Sequence, residues 1–485
     1  MRHDEARRPE SFSGGRAPLS FVVVGGAATA LAAGLPLAWL IGFTVDDALI
    51  SARVAANVAH GFGHRFNRGG PVVDAVTPLG WAYVLAPFAR TGPLAALRFA
   101  KYFGAALSLA AMTSLGAGAA REPGGASRLA VLVPLALCAP LAAWCGAGME
   151  TGVVVALTTL AVSASALGPF AAGLAAAWRP ELVPWSIALA VGGELARRTT
   201  PVRRSGTRRA GRALAMAVLP AVAVSAIRVA AFGRPVPLSL FAKPSDFAHG
   251  AFYVLSSLIW TGAPALVAAP RTIRRLDGAS RAILLATAVH CSSLLAAGGD
   301  WMALFRLFVP VLPGLFLVGA RLVAIAPWWA SGVRLLVASG VSALLLFTKG
   351  NDARGVLGDR LALIADAVPV LRGAHRVAAL DVGWVGVATD ADIVDLAGVT
   401  DESIATLHGG HTSKRVPDTL LRSRRVDAAL LLASGPVAGQ PLGAIRWART
   451  VEARVAHEAA AMGFVLHATL ELGKTGQRYA VLGPP

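Results

Sequence analysis

Residues 44–53 decide the fold of this chain, and they read Thr44-Val45-Asp46-Asp47-Ala48-Leu49-Ile50-Ser51-Ala52-Arg53. This stretch follows directly on the first long apolar segment, so two adjacent carboxylates stand at the edge of a membrane. Unpaired charge is expensive in that position, and acidic residues placed there tend to be functional. The sequence therefore predicts that the rest of the chain builds a membrane cavity over Asp46 and Asp47.

The composition indicates a polytopic membrane protein. Of the 485 residues, 55% are hydrophobic and 15% are charged, and the mean hydropathy is +0.61. A soluble protein would carry about 25% charged residues. The net charge of +18 does not indicate nucleic-acid binding, because the arginines cluster in short loops between apolar segments, as in cytoplasmic loops. Cys138, Cys145 and Cys291 lie in apolar segments, which leaves no disulfide framework and no Cys-x-x-Cys metal site.

The apolar segments are long enough, or nearly long enough, to cross a bilayer. They lie at about 19–43, 77–92, 96–118, 128–146, 151–167, 169–178, 181–196, 211–232, 249–269, 282–297, 305–326 and 331–348. Arginines at 197–212 and 271–281 mark cytoplasmic loops, and the basic N-terminus is also inside. The Asp46-Asp47 loop is then outside. An odd number of crossings must connect it to the 197–212 loop, yet six apolar candidates lie between them. The weakest are 77–92, which contains Pro78 and Pro87, and the very short 169–178. Placing 77–92 in the outer interface puts Arg121 and Arg128 inside, so this segment is predicted not to cross, which leaves about eleven spans.

The chain thus divides into three parts. Residues 1–18 form a cytoplasmic tail, residues 19–348 form the membrane module with an outer loop at 44–95, and residues 349–485 form an extracytoplasmic domain. Strand-like runs at 377–381 and 428–432, a hairpin-like run at 464–482 and a helical pattern at 442–461 predict that this last part is a small α/β domain.

The residues that follow the aspartates favour a functional loop over a plain helix end. Arg53 and Asn57 are four residues apart, on one face of a short helix that Asp47 is expected to cap. Gly61 and Gly63 then turn the chain. A carboxylate that takes a proton from an acceptor hydroxyl needs a site that is partly desolvated and supported by a nearby positive charge. The simpler alternative is that the two acids only mark the water boundary of a helix.

This loop resembles the first outer loop of GT-C fold glycosyltransferases, and most closely the terminal arabinofuranosyltransferase type of actinobacteria with its uncharacterised bacterial relatives. The residues that carry the resemblance are Asp46-Asp47-Ala48-Leu49-Ile50, Arg53, Asn57, Gly61, Gly63, Phe66-Asn67 and Thr77-Pro78. The chain departs from the pattern at Arg68-Gly69-Gly70, where the relatives have proline, glycine and glutamate. A contact made by that glutamate is therefore missing here.

Later segments extend the resemblance in the same order. They are Gly148-Met149-Glu150-Thr151, Arg179-Pro180-Glu181, the loop from Pro237 to Lys243, Gly299-Asp300-Trp301-Met302 with Arg306, Pro310 and Pro313, and in the last domain Asp381-Val382-Gly383 with residues 394–401. The matches run from about 44 to 401, and all of them fall in segments that are predicted to lie outside.

The resemblance implies a multi-pass enzyme of the bacterial inner (plasma) membrane that acts in cell-envelope biogenesis. It would move a sugar, with inversion, from a polyprenyl-phosphate donor to a glycan, lipid or protein acceptor on the outer side. Asp47 or Asp46 would be the general base. The expected substrate-binding residues are Arg53, Asn57, Glu150, Arg179, Glu181, Lys243, Asp300 and Arg306. The donor phosphate is expected on Arg179, Lys243 or Arg306, because guanidinium and ammonium groups suit phosphate.

Several alternatives stay open. Glu150 and Glu181 could serve as helix caps, and Arg179 and Arg306 could be structural partners of Glu150, Glu181 or Asp300. Asp381 and Asp395 are expected to stabilise turns. No cofactor is implied, His60 and His64 lack a third metal ligand, and a divalent metal ion at the aspartates is left open. A transporter or flippase would predict broken helices near the midplane and repeated halves, and a non-catalytic scaffold would not need the aspartate pair. The enzyme interpretation requires Asp46, Asp47, Glu150, Arg179 and Asp300 to line one outer cavity.

Overall fold

The computed structural model describes residues 18–121, 129–163, 166–198, 207–269, 271–473 and 477–485. The predicted cytoplasmic tail therefore lies outside the described residues up to position 17, and so do residues 199–206 of the arginine-rich loop. The described part is mostly helical and carries a small sheet near its C-terminal end.

Fifteen helices of seven or more residues are described. They are α1 Leu19–Trp39, α2 Asp46–Ala59, α3 Pro93–Arg121, α4 Ala139–Cys145, α5 Thr151–Ser163, α6 Gly168–Trp178, α7 Val183–Arg198, α8 Thr207–Phe232, α9 Phe247–Trp260, α10 Gly278–Ala297, α11 Leu312–Ile325, α12 Trp328–Leu345, α13 Val356–Val370, α14 Val382–Ala388 and α15 Thr450–Ala461. Shorter helices lie at Trp81–Leu85, Leu132–Ala136, Ser239–Ala242, Ala263–Val267, Asn351–Ala353, Glu402–Ala405 and Leu420–Ser423.

Five helical stretches are long and apolar enough to cross a membrane. They are Leu19–Trp39, Pro93–Arg121, Arg208–Phe232, Gly278–Ala297 and Trp328–Val370. Three further apolar helices, Thr151–Ser163, Phe247–Trp260 and Val309–Ile325, fall short of the roughly 20 residues that a straight crossing needs. The composition of these helices suits a membrane protein, whereas the count of eleven spans stays a prediction.

Prolines explain why some predicted spans are short. The segment predicted at 128–146 is divided into Leu132–Ala136 and Ala139–Cys145, and the break falls just before Pro140. Pro140 has no N–H to bond the carbonyl of Ala136 four residues earlier, and its ring would crowd that carbonyl, so the first helix ends there. The segment at 77–92 likewise forms only Trp81–Leu85 and a 3₁₀ turn that contains Pro87, and neither is long enough to cross.

The C-terminal domain is built on a five-stranded sheet. Its strands are β1 Arg376–Ala379, β2 Asp392–Asp395, β3 Ala428–Ala433, β4 Val465–Leu472 and β5 Gln477–Gly483, in the order β2-β1-β3-β5-β4. β1 pairs in parallel with β2 and β3, and β5 pairs in antiparallel fashion with β3 and β4. The predicted α/β character and the C-terminal hairpin are confirmed, while β2 was not predicted.

The sheet domain contacts α2 and the loop that follows it. The Asp46 carboxylate accepts hydrogen bonds from the backbone N–H groups of Gly383 (2.7 Å) and Trp384 (2.9 Å), at the start of α14. Farther along, the Asn67 side-chain amide both donates to and accepts from the backbone of Ile393, at 2.9 Å each way. Ile393 belongs to β2, an edge strand, so Asn67 occupies hydrogen-bonding groups that the sheet leaves open.

Arg53 adds four more contacts at the same interface. Its guanidinium donates to the carbonyl oxygens of Phe66 (2.9 Å), Thr389 (3.0 Å), Ala391 (2.9 Å) and Gly386. These acceptors come from the loop after α2, from α14 itself (Gly386) and from the segment between α14 and β2. Arg53 therefore joins the membrane module to the sheet domain through backbone groups.

Gly383 is required where α14 meets α2, and we expect Gly383→Ala to loosen the interface. A Cβ at this position would overlap the Asp46 carbonyl oxygen and press on its carboxylate. Overpacking of this kind costs about 1–3 kcal/mol. Hydrogen exchange should show faster exchange at residues 382–388. Gly358→Ala in α13 is the matched control, because its Cβ would meet no atom within 4 Å and alanine favours a helix. Unchanged exchange in Gly383→Ala would contradict the expected clash.

Candidate functional site

One cavity of about 330 Å³ lies between the membrane module and the sheet domain. Seven of the ionisable side chains singled out in the sequence line it, namely Asp47, Glu150, Arg179, Glu181, Lys243, Asp300 and Arg306. They come from five separate stretches of the chain. The remainder of the wall is mostly small or apolar, and the sheet domain contributes Val399.

One side of the cavity is organised by Arg179. This residue follows the last residue of α6 and faces the start of α5. Its Nη2 lies 2.6 Å from a Glu150 carboxylate oxygen and donates to the Thr151 hydroxyl at 2.9 Å, while Nη1 lies 3.3 Å from Glu181. The Arg179 side chain is only 3% exposed. A buried arginine between two carboxylates is already neutralised, so it has little positive charge left to offer a phosphate.

The opposite side is organised by Arg306. Its Nε lies 2.8 Å from Asp300 and its Nη1 lies 3.2 Å from Asp47. Burial alone would raise the pKa of Asp300, but the charges of Arg306 and Lys243 outweigh it and hold that pKa below its usual range. The side chain of Asp47 is 26% exposed, more than that of its neighbour Asp300. Asp47 therefore presents a carboxylate to the cavity.

A strained turn aims Arg306 at this position. Leu304 and Phe305 have φ angles of +60° and +56°, a region that residues other than glycine seldom occupy. The indole N–H of Trp144 donates to the carbonyl oxygens of Ala303 (3.1 Å) and Leu304 (2.9 Å), which holds the turn in place. Strain of this kind persists only where its surroundings enforce it, and it concentrates at functional sites.

Lys243 differs from the two arginines. It ends the short helix Ser239–Ala242 and lines the cavity near Asp300. Among the residues that the structure describes, it forms no ion pair and its ammonium group donates no hydrogen bond. The adjacent wall carries the hydroxyl groups of Thr77 and Ser239, whose oxygens lie 3.1 Å apart. This part of the cavity is therefore the best suited to an anionic ligand.

The expectation that both aspartates line the cavity is wrong for Asp46. Successive residues of a helix point about 100° apart, so Asp47 faces the cavity while Asp46 faces α14. Burial raises the pKa of Asp46 to about 7, although Arg360 and the two N–H donors lower it. Such a pKa would suit a general base. Both carboxylate oxygens nevertheless accept hydrogen bonds from the backbone of Gly383 and Trp384, so we assign Asp46 to domain docking.

Arg53 and Asn57 also need correction as substrate-binding residues. Neither lines the cavity. Asn57 donates to the carbonyl oxygens of Arg65 (2.9 Å) and Phe66 (3.0 Å), and Arg53 binds carbonyl groups on both sides of the domain interface. The expected cap by Asp47 is absent as well, because α2 is preceded by Val45 and has no side-chain cap.

The two aspartates that the sequence analysis singled out in the sheet domain have different roles. Asp395 accepts from the N–H groups of Ala397 (2.8 Å) and Thr400 (2.6 Å), so it stabilises a turn as predicted. Asp381 instead binds the Arg449 guanidinium with both carboxylate oxygens, at 2.8 and 3.1 Å. It also accepts a hydrogen bond of 2.5 Å from the Tyr479 hydroxyl. It joins separate elements of the domain rather than a single turn. The sequence does not reveal this role, because Arg449 and Tyr479 lie about 70 and 100 residues away from Asp381 in the chain.

His411 is a residue near the site that the sequence did not indicate. It lies in the sheet domain, within electrostatic range of Lys243, Asp47 and Asp300. Burial, with a smaller contribution from Lys243, lowers its pKa to about 4, so the imidazole is neutral near pH 7. Only the turn residues Gly409 and Gly410 before it distinguished it in the sequence.

The described residues include no group of three or more His, Cys, Asp or Glu side chains placed to hold a metal ion. Near the glycine turn, the His60 ring contacts the Ala56 carbonyl oxygen at 2.7 Å, and His64 is buried beside Tyr83. These two histidines therefore face different surroundings. Comparisons of the chain with protein-family models, with curated proteins and with solved structures found no match.

Proposed function

We propose that this protein is a membrane glycosyltransferase that moves a sugar from a polyprenyl-phosphate donor to an acceptor on the outer side of the bacterial inner membrane. The observation that carries the proposal is the shared cavity, in which the partly exposed Asp47 faces the same space as Lys243, which forms an ion pair with none of the described residues. A carboxylate and a cation in one water-restricted cavity are what an acceptor hydroxyl and a donor phosphate require.

The proposed topology extends the five candidate spans to about eleven crossings by including the shorter and proline-broken helices. The sheet domain would then lie outside, and so would the cavity beneath it. Exposed apolar side chains occur beside the Lys243 turn, among them Leu240 (50% exposed) and Phe241 (43%). A polyprenyl chain would reach the cavity from the bilayer along this side, with its phosphate next to Lys243.

The reaction would be a single displacement at the anomeric carbon of the donor sugar. The acceptor oxygen bonds to that carbon from one side, and the bond to the phosphate oxygen breaks on the other, so the configuration inverts. Asp47 accepts the hydroxyl proton, and polyprenyl phosphate leaves with the bonding electron pair. Phosphate is a good leaving group, so the protein mainly positions the reactants and stabilises charge. Lys243 would hold the phosphate, and Arg306 would position Asp47.

The proposal is tested by purified protein in lipid nanodiscs, supplied with polyprenyl-phosphate-linked arabinofuranose, mannose and other sugars in turn, together with soluble oligosaccharide acceptors. The expected result is transfer from at least one donor, with NMR showing an inverted anomeric configuration in the product. Binding of free polyprenyl phosphate is measured on the same sample. Failure to bind any polyprenyl phosphate would remove the basis of the proposal.

Lys243→Met is expected to weaken the binding of polyprenyl phosphate by about ten- to a hundredfold, because a hydrogen bond to a charged group contributes about 1.5–3 kcal/mol. Lys243→Arg should retain most of the affinity. Lys349→Met is the matched control, since it removes the same charge from an exposed position in the π-helical turn Leu346–Gly350 that follows α12. Equal affinities for the Lys243→Met and Lys349→Met proteins would show that Lys243 does not contact the phosphate.

A further inference from the structure

An exposed tryptophan stands beside the cavity. Trp301 directly follows Asp300, whose side chain is almost fully buried against Arg306, yet Trp301 itself is 63% exposed. Its ring is stacked on the His249 imidazole, with 3.9 Å between ring centroids and an angle of 16° between the planes. His249 is fixed in turn by a 2.7 Å contact between its Nδ1 and the Gly298 carbonyl oxygen. The indole is therefore held in one position although most of its surface faces outward.

The sheet domain brings a second imidazole to the same ring. The His411 ring lies 5.9 Å from that of Trp301, at an angle of 56°. Its loop is anchored by the buried Lys414, whose ammonium group donates to the carbonyl oxygens of Ala405 (2.7 Å) and Leu407 (2.9 Å). A rigid aromatic side chain loses little conformational entropy on binding a ligand. The two histidines and Trp301 thus form a preorganised surface, which we call the aromatic platform.

The neighbours of the aromatic platform indicate what it contacts. A tryptophan that only anchors a helix in the bilayer interface needs no polar partners. Trp328 (86% exposed) and Trp329 (61%), at the start of α12, have this character, because neither contacts another ring in the described part of the chain. Trp301 lies instead between two imidazoles and next to the charged cavity. Its surroundings offer an apolar face together with hydrogen-bonding groups.

A sugar ring has matching chemistry, since it presents an apolar C–H face and a rim of hydroxyl groups. The indole would cover the C–H face. A neutral imidazole offers one donor and one acceptor to hydroxyls, and His411 is neutral near pH 7. His411 is also within electrostatic range of Asp47. A ring bound here would therefore lie near the proposed base.

We propose that Trp301, His249 and His411 form an acceptor subsite that binds one sugar ring of a glycan. This inference rests on the proposed glycosyltransferase function and narrows it, because it selects a glycan over a lipid or protein acceptor. It also gives the sheet domain a direct part in acceptor binding through His411.

The test uses the full-length protein in nanodiscs and saturation-transfer NMR with soluble arabino-, manno- and galacto-tetrasaccharides. Wild-type protein should bind at least one of them. Trp301→Ala and His411→Ala should each weaken that binding by at least about tenfold, as expected for an aromatic anchor, while Trp329→Ala should leave it unchanged. Trp301→Phe keeps an aromatic face and should retain part of the affinity. Thermal unfolding of each variant confirms that it is folded.

Polyprenyl-phosphate binding is measured on the same samples and separates the two proposals. If Trp301→Ala binds polyprenyl phosphate and the tetrasaccharides as wild type does, the subsite is refuted and the glycosyltransferase proposal stands. If wild type binds none of the tetrasaccharides, the subsite is refuted as well. If the tetrasaccharides bind through Trp301 but no polyprenyl phosphate binds, the binding surface is supported and the glycosyltransferase proposal fails. Quenching of the tryptophan fluorescence by brominated phospholipids that is smaller in Trp301→Phe than in wild type would identify Trp301 as a bilayer anchor and overturn the subsite.

Discussion

Asp47→Asn is expected to lower the rate of the proposed transfer by about 10²- to 10⁴-fold, the usual contribution of a general base. An amide cannot accept the proton of the acceptor hydroxyl. The fold should be retained, because Arg306 keeps its 2.8 Å contact with Asp300 when the 3.2 Å contact with Asp47 is lost. Transfer by purified protein at saturating donor gives the rate, and thermal unfolding in the same nanodiscs reports stability.

Asp46→Asn is the matched control, since the same change is made one residue away. This change is expected to weaken the contact between α2 and α14 of the sheet domain rather than the transfer itself. An asparagine keeps one acceptor oxygen, so one of the two N–H groups of α14 loses its partner, at a cost of about 1.5–3 kcal/mol for a hydrogen bond to a charged group. Exchange at the Gly383 and Trp384 amides should accelerate, with a smaller effect on transfer than that of Asp47→Asn. A larger loss of transfer in Asp46→Asn would reverse the assignment.

Arg179→Met is expected to destabilise the protein by about 3–5 kcal/mol, the cost of removing one partner from a buried ion pair. Glu150 would be left without the 2.6 Å contact to the guanidinium, in a position where its side chain is 3% exposed. Thermal unfolding followed by intrinsic fluorescence measures the loss. Glu181 should contribute less to it, because its side chain is 17% exposed and can be solvated from the cavity.

The double variant Arg179→Met with Glu150→Met distinguishes a structural role from phosphate binding. Replacing both members of a buried pair by apolar residues is often nearly neutral, so stability should largely return. If Arg179 is structural, the binding of polyprenyl phosphate returns with it. A stable double variant that still fails to bind polyprenyl phosphate would instead place Arg179 at the phosphate, contrary to its pairing with Glu150 and Glu181.

The sequence identified most of the charged residues that line the cavity, but not which of them form ion pairs with each other. Hydropathy and arginine position favoured one side for the charged segments, and the cavity does collect Glu150, Arg179 and Asp300 with Asp47. Which cation pairs with which carboxylate depends on how the segments pack. Arg306 contacts both Asp300, six positions earlier, and Asp47, 259 positions earlier, and no local pattern reveals that second contact. The sequence therefore left two roles open for Arg179 and Arg306, as phosphate ligands or as partners of these acids, and the distances show the ion pairs.

The errors at Asp46, Arg53 and Asn57 have a common physical cause. A polar residue near a membrane surface can serve a substrate or satisfy backbone groups of another domain, and both uses need the same residue types. Arg53 uses its donors on carbonyl groups, one of which belongs to Ala391, 338 residues later in the chain. The strained turn at Leu304 and Phe305 was equally hidden, because its residue types give no sign of positive φ angles.

The adjacency of Asp46 and Asp47 has a consequence for regulation. One peptide bond joins the residue that anchors the sheet domain to the proposed base, and both belong to the same rigid helical turn. Any effector that shifts α14 relative to α2 would therefore also move the Asp47 carboxylate. The sheet domain therefore cannot be exchanged freely. A domain grafted from another protein would have to reproduce the contact between Gly383 and Asp46 to preserve the rate of sugar transfer.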